Sequence, residues 1–209
     1  MAKRINMKKK SILTEKTVEH DPFKQFGIWY AEWLKTGTVN PDSVTLATST
    51  ADGNVSARTV LLKDYSHAGF VFFTNYDSKK GIQISQNPRA ALLFYWPGSG
   101  RQVRIEGVVE KISAAESDEY FITRPRESQI GAWASEQSRV LPDRTHLENR
   151  VEFFKNKFSD NPVPRPSHWG GFRLVPVWIE FWQEGEFRLH DRIIYTKQDG
   201  SWVIERLSP

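Results

Sequence analysis

Residues 43–63 read SVTLATSTADGNVSARTVLLK. Ala51-Asp52-Gly53-Asn54 is a turn signal of the Asp-Gly kind, and the runs on either side, SVTLATST and NVSARTVLLK, are strand-like. So short a link joins antiparallel strands, because a parallel pair needs a crossover of about a dozen residues. A third strand follows at Gly69-Phe70-Val71-Phe72-Phe73-Thr74. Two hairpins in succession argue for antiparallel sheet and against repeated βαβ units.

Upstream, Asp21-Pro22 opens a helix with Phe23, Phe26, Trp29, Tyr30 and Trp33 spaced for one face, and Gly37 ends it. Downstream, Asp77-Ser78-Lys79-Lys80 opens a short helix that stops near Asn87-Pro88. AALLFYW is a buried strand, Pro97-Gly98-Ser99-Gly100 a turn, and RQVRIEGVVEKI a long strand in which Gly107 marks a bend or bulge. Residues 114–123 are expected to be helical, with a capping box from Ser113 to Glu116. Further helices are expected over 127–136 and 144–158, and the proline-rich stretch Asn161 to Pro166 is a loop. The chain closes on FRLVPVWIEFWQ, a turn at Glu184-Gly185-Glu186, the strand FRLHDRIIYTK, a turn at Asp199-Gly200, and SWVIERL. Six or more strands in an antiparallel meander favour a barrel, which also removes exposed edges.

The chain has 209 residues, enough for one domain with small appendages. It has no Cys, which removes disulfides, thiolate nucleophiles and cysteine metal sites together. This fits a reducing compartment, and a cytoplasmic location is expected. No apolar run is long enough to span a membrane, so no membrane association is expected. The formal charge is +4, but the first ten residues hold Lys3, Arg4, Lys8, Lys9 and Lys10 and no acid. Without them 24 basic residues face 25 acidic ones, so the body is nearly neutral and nucleic acid is not an expected partner. Residues 1–20 read as a flexible basic arm, and 21–209 as one domain.

Rossmann, P-loop, HExxH and GxSxG motifs are missing. The five histidines, at 20, 67, 146, 168 and 190, stand too far apart to suggest a metal site. What recurs is a cation beside small hydroxyls: Arg58-Thr59, Thr74 followed by Ser78-Lys79-Lys80, Arg124 with Ser128, and Gln137-Ser138-Arg139. Cations, hydroxyls and helix N-termini are how proteins hold phosphate. Solvated lysines and a paired structural arginine would explain some of these equally well. Arg188, His190 and Arg192 share a face if FRLHDRIIY is one strand, which suits a ligand site or a solvated sheet face.

The stretches ARTVLLK (57–63), FFTNYDSKKG (72–81), RQVRIEG (101–107), YFITRPRESQIGAWASEQS (120–138), HWGGFRLVP (168–176), IEFWQ (179–183), FRLHDR (187–192) and the final ERLSP are recognisable together. In these words, and over roughly residues 20–209, the chain resembles the pyridoxine/pyridoxamine 5'-phosphate oxidases. The resemblance implies a mainly β fold: an FMN-binding split β-barrel, antiparallel and Greek-key-like, with peripheral helices. It implies a homodimer with FMN at the subunit interface. It also implies oxidation of pyridoxine or pyridoxamine 5'-phosphate to pyridoxal 5'-phosphate, with O2 as acceptor giving H2O2, and ammonia released from the amine.

Carried over position by position, the family's FMN contacts match Arg58, the backbone of Val60, Leu61, Leu62 and Lys63, then Phe73, Thr74, Lys79, Lys80, Gln102, Gln137, Ser138, Trp182 and Arg192. Its substrate-phosphate contacts match Lys63, Tyr120, Arg124 and Ser128. Arg188 and His190 match the residues that flank the substrate ring, where catalysis is expected. One departure concerns the arm, which in many relatives carries an Arg and a Tyr that close over the site. Here the first 28 residues contain no Tyr. Two rival readings are a flavin reductase using a nicotinamide donor and a non-catalytic flavin or pyridoxal phosphate carrier.

Overall fold

The hairpin of residues 43–63 forms as its turn residues dictate. β1 (Ser43–Ser49) and β2 (Val55–Leu61) pair antiparallel from Ser43 opposite Leu61 to Ser49 opposite Val55. Gly53 takes φ +88°, a conformation its missing Cβ permits. The structure, a computed structural model, describes residues 12–209.

The other strands are β3 (Asp64–Ser66), β4 (Gly69–Asn75), β5 (Arg89–Trp96), β6 (Arg101–Lys111), β7 (Trp169–Gln183), β8 (Asp191–Gln198) and β9 (Ser201–Arg206). The helices are α1 (Pro22–Leu34), α2 (Lys79–Gln86), α3 (Ala114–Ile122), α4 (Arg126–Ala134) and α5 (Arg144–Phe158). Among the described residues no helix is long and apolar enough to cross a membrane.

All pairings are antiparallel, in the order β2-β1-β5-β6-β7-β4-β3, with β8 on the second half of β7 and β9 on β8. The path departs from a meander and follows the Greek-key-like order that the family resemblance implies. β4 pairs with β7 and β1 with β5, with α2 crossing between β4 and β5, as in a Greek key. The sheet curls until its two ends meet, where the Lys63 N–H donates to the Val71 carbonyl (2.8 Å). The result is a split barrel organised on β7. That strand meets β4 along its first half and β8 along its second, and β6 follows it throughout. At Gly107 the β6–β7 register shifts, so the expected irregularity is a bulge. A Cβ there would lie 2.1 Å from the Val175 carbonyl oxygen, closer than atoms can approach.

Alternation sorts each strand into two faces. Leu46, Leu92, Phe94, Val103, Ile105, Leu174, Ile179, Phe181 and Tyr195 point inward and are buried. α1 covers the open side of this core. Asp21 caps it, accepting from the Phe23 N–H, and Pro22 occupies its first turn. Phe26 and Trp29, both buried, meet Phe94 and Phe181 at ring distances of 5.1 and 5.2 Å. Burying each such ring stabilises the fold by roughly 2–3 kcal/mol. A second, smaller core joins Phe121, Ile130, Phe158 and Trp169 beneath α3, α4 and α5. The expected capping box starts α3: Ser113 Oγ accepts from the Glu116 N–H (3.1 Å) and Glu116 Oε2 from the Ser113 N–H (2.9 Å).

One further expectation changes. FRLHDRIIYTK is not one strand, because Glu186–Arg188 form a 3-10 turn with Phe187 at φ +55° and Arg188 at φ +66°. The strand begins only at Asp191, so the parity that would align Arg188, His190 and Arg192 does not apply. The expected arm over 1–20 falls partly outside the described residues. Within residues 12–20, Leu13 and Val18 are buried, the Leu13 N–H donates to Asp191 Oδ2 (3.0 Å) and Tyr195 Oη donates to the Glu19 carbonyl (2.6 Å), while most of the other side chains are exposed.

Candidate active site

On β2, Ser56, Arg58 and Val60 share the inward face. The Arg58 guanidinium reaches across to β1, donating to the Leu46 carbonyl (3.0 Å) and to Thr48 Oγ1 (2.7 Å). It also donates to Ser56 Oγ (2.5 Å) and, at 3.4 Å, to Gln83 Oε1 of α2. Ser78 caps α2 by accepting from the Gly81 N–H, and this first turn carries Lys80 inward. The Lys80 ammonium, in a side chain 9% exposed, donates to Thr74 Oγ1 (3.0 Å), Ser78 Oγ (3.3 Å) and Gln137 Oε1 (2.6 Å). Among the described residues neither cation has a carboxylate partner. Both direct their hydrogen bonds to neutral oxygens.

Burial, helped by the charge of Arg58, pulls the Lys80 pKa down to about 8. Burial lowers that of Arg58 as well. Two desolvated cations without a counter-ion are costly, and a multi-oxygen anion such as a phosphate is the ligand that relieves them. The fit is built from hydroxyls, an amide and a helix start, so the residues present suit a phosphate group.

The structure thus brings Arg58, Thr74, Lys80 and Gln137 together. It adds Thr48, Ser56 and Gln83, which the sequence reading missed. Gln83 Oε1 accepts from Thr48 Oγ1 (2.6 Å) and Ser56 Oγ (2.7 Å), locking the Arg58 cradle. The available signal was spacing, since Gln83 lies three residues after Lys80 on one helix face. Lys79 is exposed, and Ser138, at φ +71°, is exposed beside Gln137. Val60 to Lys63 form the rim at the end of β2, where the Leu62 N–H donates to the Asp42 carbonyl (2.8 Å).

Phe73 points to the opposite face of β4 from Thr74 and enters a second group. Its ring stacks on Tyr120 at 3.9 Å, and Trp169 lies parallel beyond. Arg124, in the break between α3 and α4, has its guanidinium carbon 4.5 Å from the Trp169 ring centroid. Its Nη1 is buried and has no hydrogen-bond partner among the described residues, and burial lowers its pKa. Ser128 stands one turn on, in the first turn of α4. Lys63 is not with this group. Its ammonium pairs with Asp42 (2.6 Å), and its backbone meets β4 at Val71, four residues (roughly 13 Å at 3.3 Å per residue) from Asn75, the partner of Trp169.

Gln102, Trp182 and Arg192 form a third group on consecutive strands, Gln102 opposite Trp182 and Trp182 opposite Arg192. They alternate with the inward Val103, Phe181 and Ile193, so they face outward. With Arg104, Glu180 and Pro209 they line a cavity of about 190 Å³. Glu180, 4% exposed, pairs with Arg192 (2.5 Å) and Arg104 (3.3 Å). His190 packs its ring 4.5 Å from that of Trp182, and its Nδ1 accepts the Gly185 N–H (3.2 Å), which leaves Nε2 as the protonated donor. Arg188 is exposed in the preceding turn. The first and third groups therefore lie on opposite faces of one sheet, and within one chain a single ligand cannot touch both.

Residues 30–157 match the family profile described as pyridoxamine 5'-phosphate oxidase. Residues 169–209 match that of the pyridoxine 5'-phosphate oxidase C-terminal dimerisation region. Among curated proteins, a pyridoxine/pyridoxamine 5'-phosphate oxidase of Gloeothece citriformis is 54% identical over 198 residues, covering 94% of this chain and 92% of the relative. One from Burkholderia lata is 54% identical over 209 residues, covering 99% and 97%. Among solved structures, PhzG from Burkholderia lata, in complex with tetrahydrophenazine-1-carboxylic acid, superposes with a TM-score of 0.88 at 28% identity, covering 95% and 98%. A pyridoxamine 5'-phosphate oxidase-related, FMN-binding protein from Nostoc punctiforme superposes with a TM-score of 0.72 at 18% identity, covering 92% and 100%, and shows the fold.

Proposed function

The chain belongs to the pyridoxine/pyridoxamine 5'-phosphate oxidase family, and we propose that it oxidises pyridoxine and pyridoxamine 5'-phosphates to pyridoxal 5'-phosphate with FMN and O2. The observation that supports this reading is that, among the described residues, Arg58 with Lys80 and, separately, Arg124 lack carboxylate partners, so each could take the phosphate of one of the two molecules the reaction brings together. When bound, FMN would supply the redox chemistry of the oxidation, with O2 as the final acceptor.

The protein's part is binding and orientation. Arg58 and Lys80 would hold the FMN phosphate against the hydroxyls of Thr74 and Ser78. Arg124, Tyr120 and Ser128 would hold the substrate phosphate, with a guanidinium fork and two hydroxyls. His190, whose Nδ1 accepts the Gly185 N–H, would offer its Nε2–H to the substrate ring, with Arg188 two residues before it. The outward group of Gln102, Trp182 and Arg192 completes the flavin site only if it comes from a second copy. That requirement, together with the match of residues 169–209 to a dimerisation region, supports a homodimer with FMN at the interface.

Purified protein mixed with pyridoxine 5'-phosphate in air should form aldehyde and peroxide. Arg124→Ala should raise the substrate KM at least roughly 30-fold with the flavin retained. Lys80→Ala should lose flavin instead. Reduction only by NADH, or binding without turnover, would replace the reading with that of a reductase or a carrier. The likeness to PhzG adds one comparison: an oxidase built for a carboxylated phenazine precursor would turn over that substrate in preference and be indifferent to Arg124→Ala.

A further inference from the structure

Trp169 belongs to neither nest by chemistry, yet it lies under the second one. Its indole is 6% exposed and nearly parallel to two rings, that of Phe73 (5.4 Å, 14°) and that of Tyr120 (6.3 Å, 6°). Phe73 and Tyr120 stack in turn at 3.9 Å and 18°. The Arg124 guanidinium carbon is 4.5 Å from the centroid of the same indole, and 5.6 Å from that of Phe121. The backbone of Trp169 is pinned from both sides: its N–H donates to the Pro166 carbonyl (3.0 Å), and its carbonyl accepts from Arg165 Nη1 (2.7 Å). Across the sheet it stands opposite Asn75 of β4.

We propose that Trp169 is a positioning residue for the substrate phosphate, its indole fixing the Arg124 guanidinium and the Tyr120 ring so that their donors converge. The inference rests on the reading of Arg124 and Tyr120 as phosphate ligands. Arg124 needs such a support. A half-buried guanidinium usually takes its orientation from a carboxylate fork, and among the described residues Arg124 has none. An aromatic face orients a guanidinium without neutralising it, so the positive charge stays available to an anion. A carboxylate in the same place would hold Arg124 equally well and repel the phosphate. The stack also ties the two donors together. Tyr120 and Arg124 lie on opposite sides of the α3 C-terminus, and Trp169 is in ring contact with both.

The test uses the flavin-loaded enzyme and pyridoxine 5'-phosphate. Trp169→Leu should raise KM roughly tenfold, the order expected for losing a desolvated cation–aromatic contact. It should leave kcat and the FMN Kd within about twofold. Trp169→Phe, which keeps an aromatic face, should recover most of the affinity, and it carries the test if the leucine variant does not fold. In an Arg124→Ala background either Trp169 substitution should change KM by less than about twofold, because the group it positions is gone. If Trp169→Leu leaves KM unchanged while Arg124→Ala raises it, the inference is wrong and the phosphate assignment stands. If Arg124→Ala itself leaves KM unchanged, the assignment fails and the inference with it. If the Trp169 variants lower kcat and FMN affinity along with substrate affinity, or act equally in the Arg124→Ala background, the indole serves the fold alone and the inference is overturned.

Discussion

Lys80→Met should move stability and cofactor affinity in opposite directions. In the FMN-free protein Lys80 is a cost: its ammonium is desolvated, feels the charge of Arg58, and has a pKa pulled from 10.5 to about 8. That fall of about 2.5 pH units corresponds to at most about 3–4 kcal/mol at 1.36 kcal/mol per pH unit. Screening at the mouth of the nest reduces it to about 1–2 kcal/mol. Methionine matches the shape without the charge. It strands no partner, because Ser78 Oγ still donates to the Asn75 carbonyl and accepts from the Gly81 N–H, and Thr74 Oγ1 still donates to Gln137. The FMN-free variant should therefore be more stable by about 1–2 kcal/mol, a rise of roughly 2–8 °C in Tm for a chain of this size. FMN affinity should fall by about 2–5 kcal/mol, at least roughly 30-fold in Kd, as expected on removing a buried charge partner of a phosphate. Thermal unfolding of both proteins, with and without FMN, reads both effects. A lower Tm for the FMN-free variant would refute the reasoning, since Lys80 would then be a structural residue supported by its hydrogen bonds. An unchanged FMN Kd would refute the phosphate assignment.

The same group sets a pH dependence. Below pH 8 Lys80 is protonated in both the folded and the unfolded chain and its penalty is full. Between about 8 and 10.5 the folded chain has released the proton and the unfolded chain has not, so the stability of FMN-free wild type relative to Lys80→Met should rise across that window. FMN affinity should weaken as pH rises above about 8, by up to about tenfold per pH unit, and a titration of FMN at several pH values checks it. Gly107→Ala should destabilise by about 2–4 kcal/mol, read from a urea midpoint, because its Cβ would meet the Val175 backbone oxygen at the bulge. Glu180→Gln should cost about 1–3 kcal/mol, since it leaves Arg192 and Arg104 without their shared counter-charge, less than a fully buried pair because both arginines keep some solvent.

Local signals in the sequence reached local structure and stopped there. The Asp-Gly turn, the Ser113 capping box and the bulge at Gly107 follow from a few neighbouring residues, and each stands where it was read. Which strand lies beside which is non-local, and β1–β5 and β4–β7 pairing was legible only through the family resemblance, as a Greek-key-like barrel, and not from the hairpin signals. FRLH alternates like a strand, but Gly185 allows a reversal so tight that a Cβ there would lie 1.9 Å from the Leu189 carbonyl oxygen. Two left-handed residues then take Arg188 out of register.

The site shows the same division. Arg58 and Lys80 were legible as cations beside hydroxyls, whereas Thr48, Ser56 and Gln83 are neutral residues whose part depends on strand register and on where α2 lands. The family resemblance assigned Arg58, Lys80, Gln102, Trp182 and Arg192 to one cofactor at a subunit interface but did not say which of them lie on which face of the sheet. Strand parity does: Arg58 alternates with exposed neighbours and shares the inward face with Val60, while Gln102 and Trp182 alternate with the buried Val103 and Phe181. In the proposed homodimer one flavin touching both sets would take Arg58 and Lys80 from one chain and Gln102, Trp182 and Arg192 from the other, as the interface implied by the resemblance requires. In this reading the outward face around Glu180 is kept polar because a second chain's cofactor, not solvent alone, is what it meets.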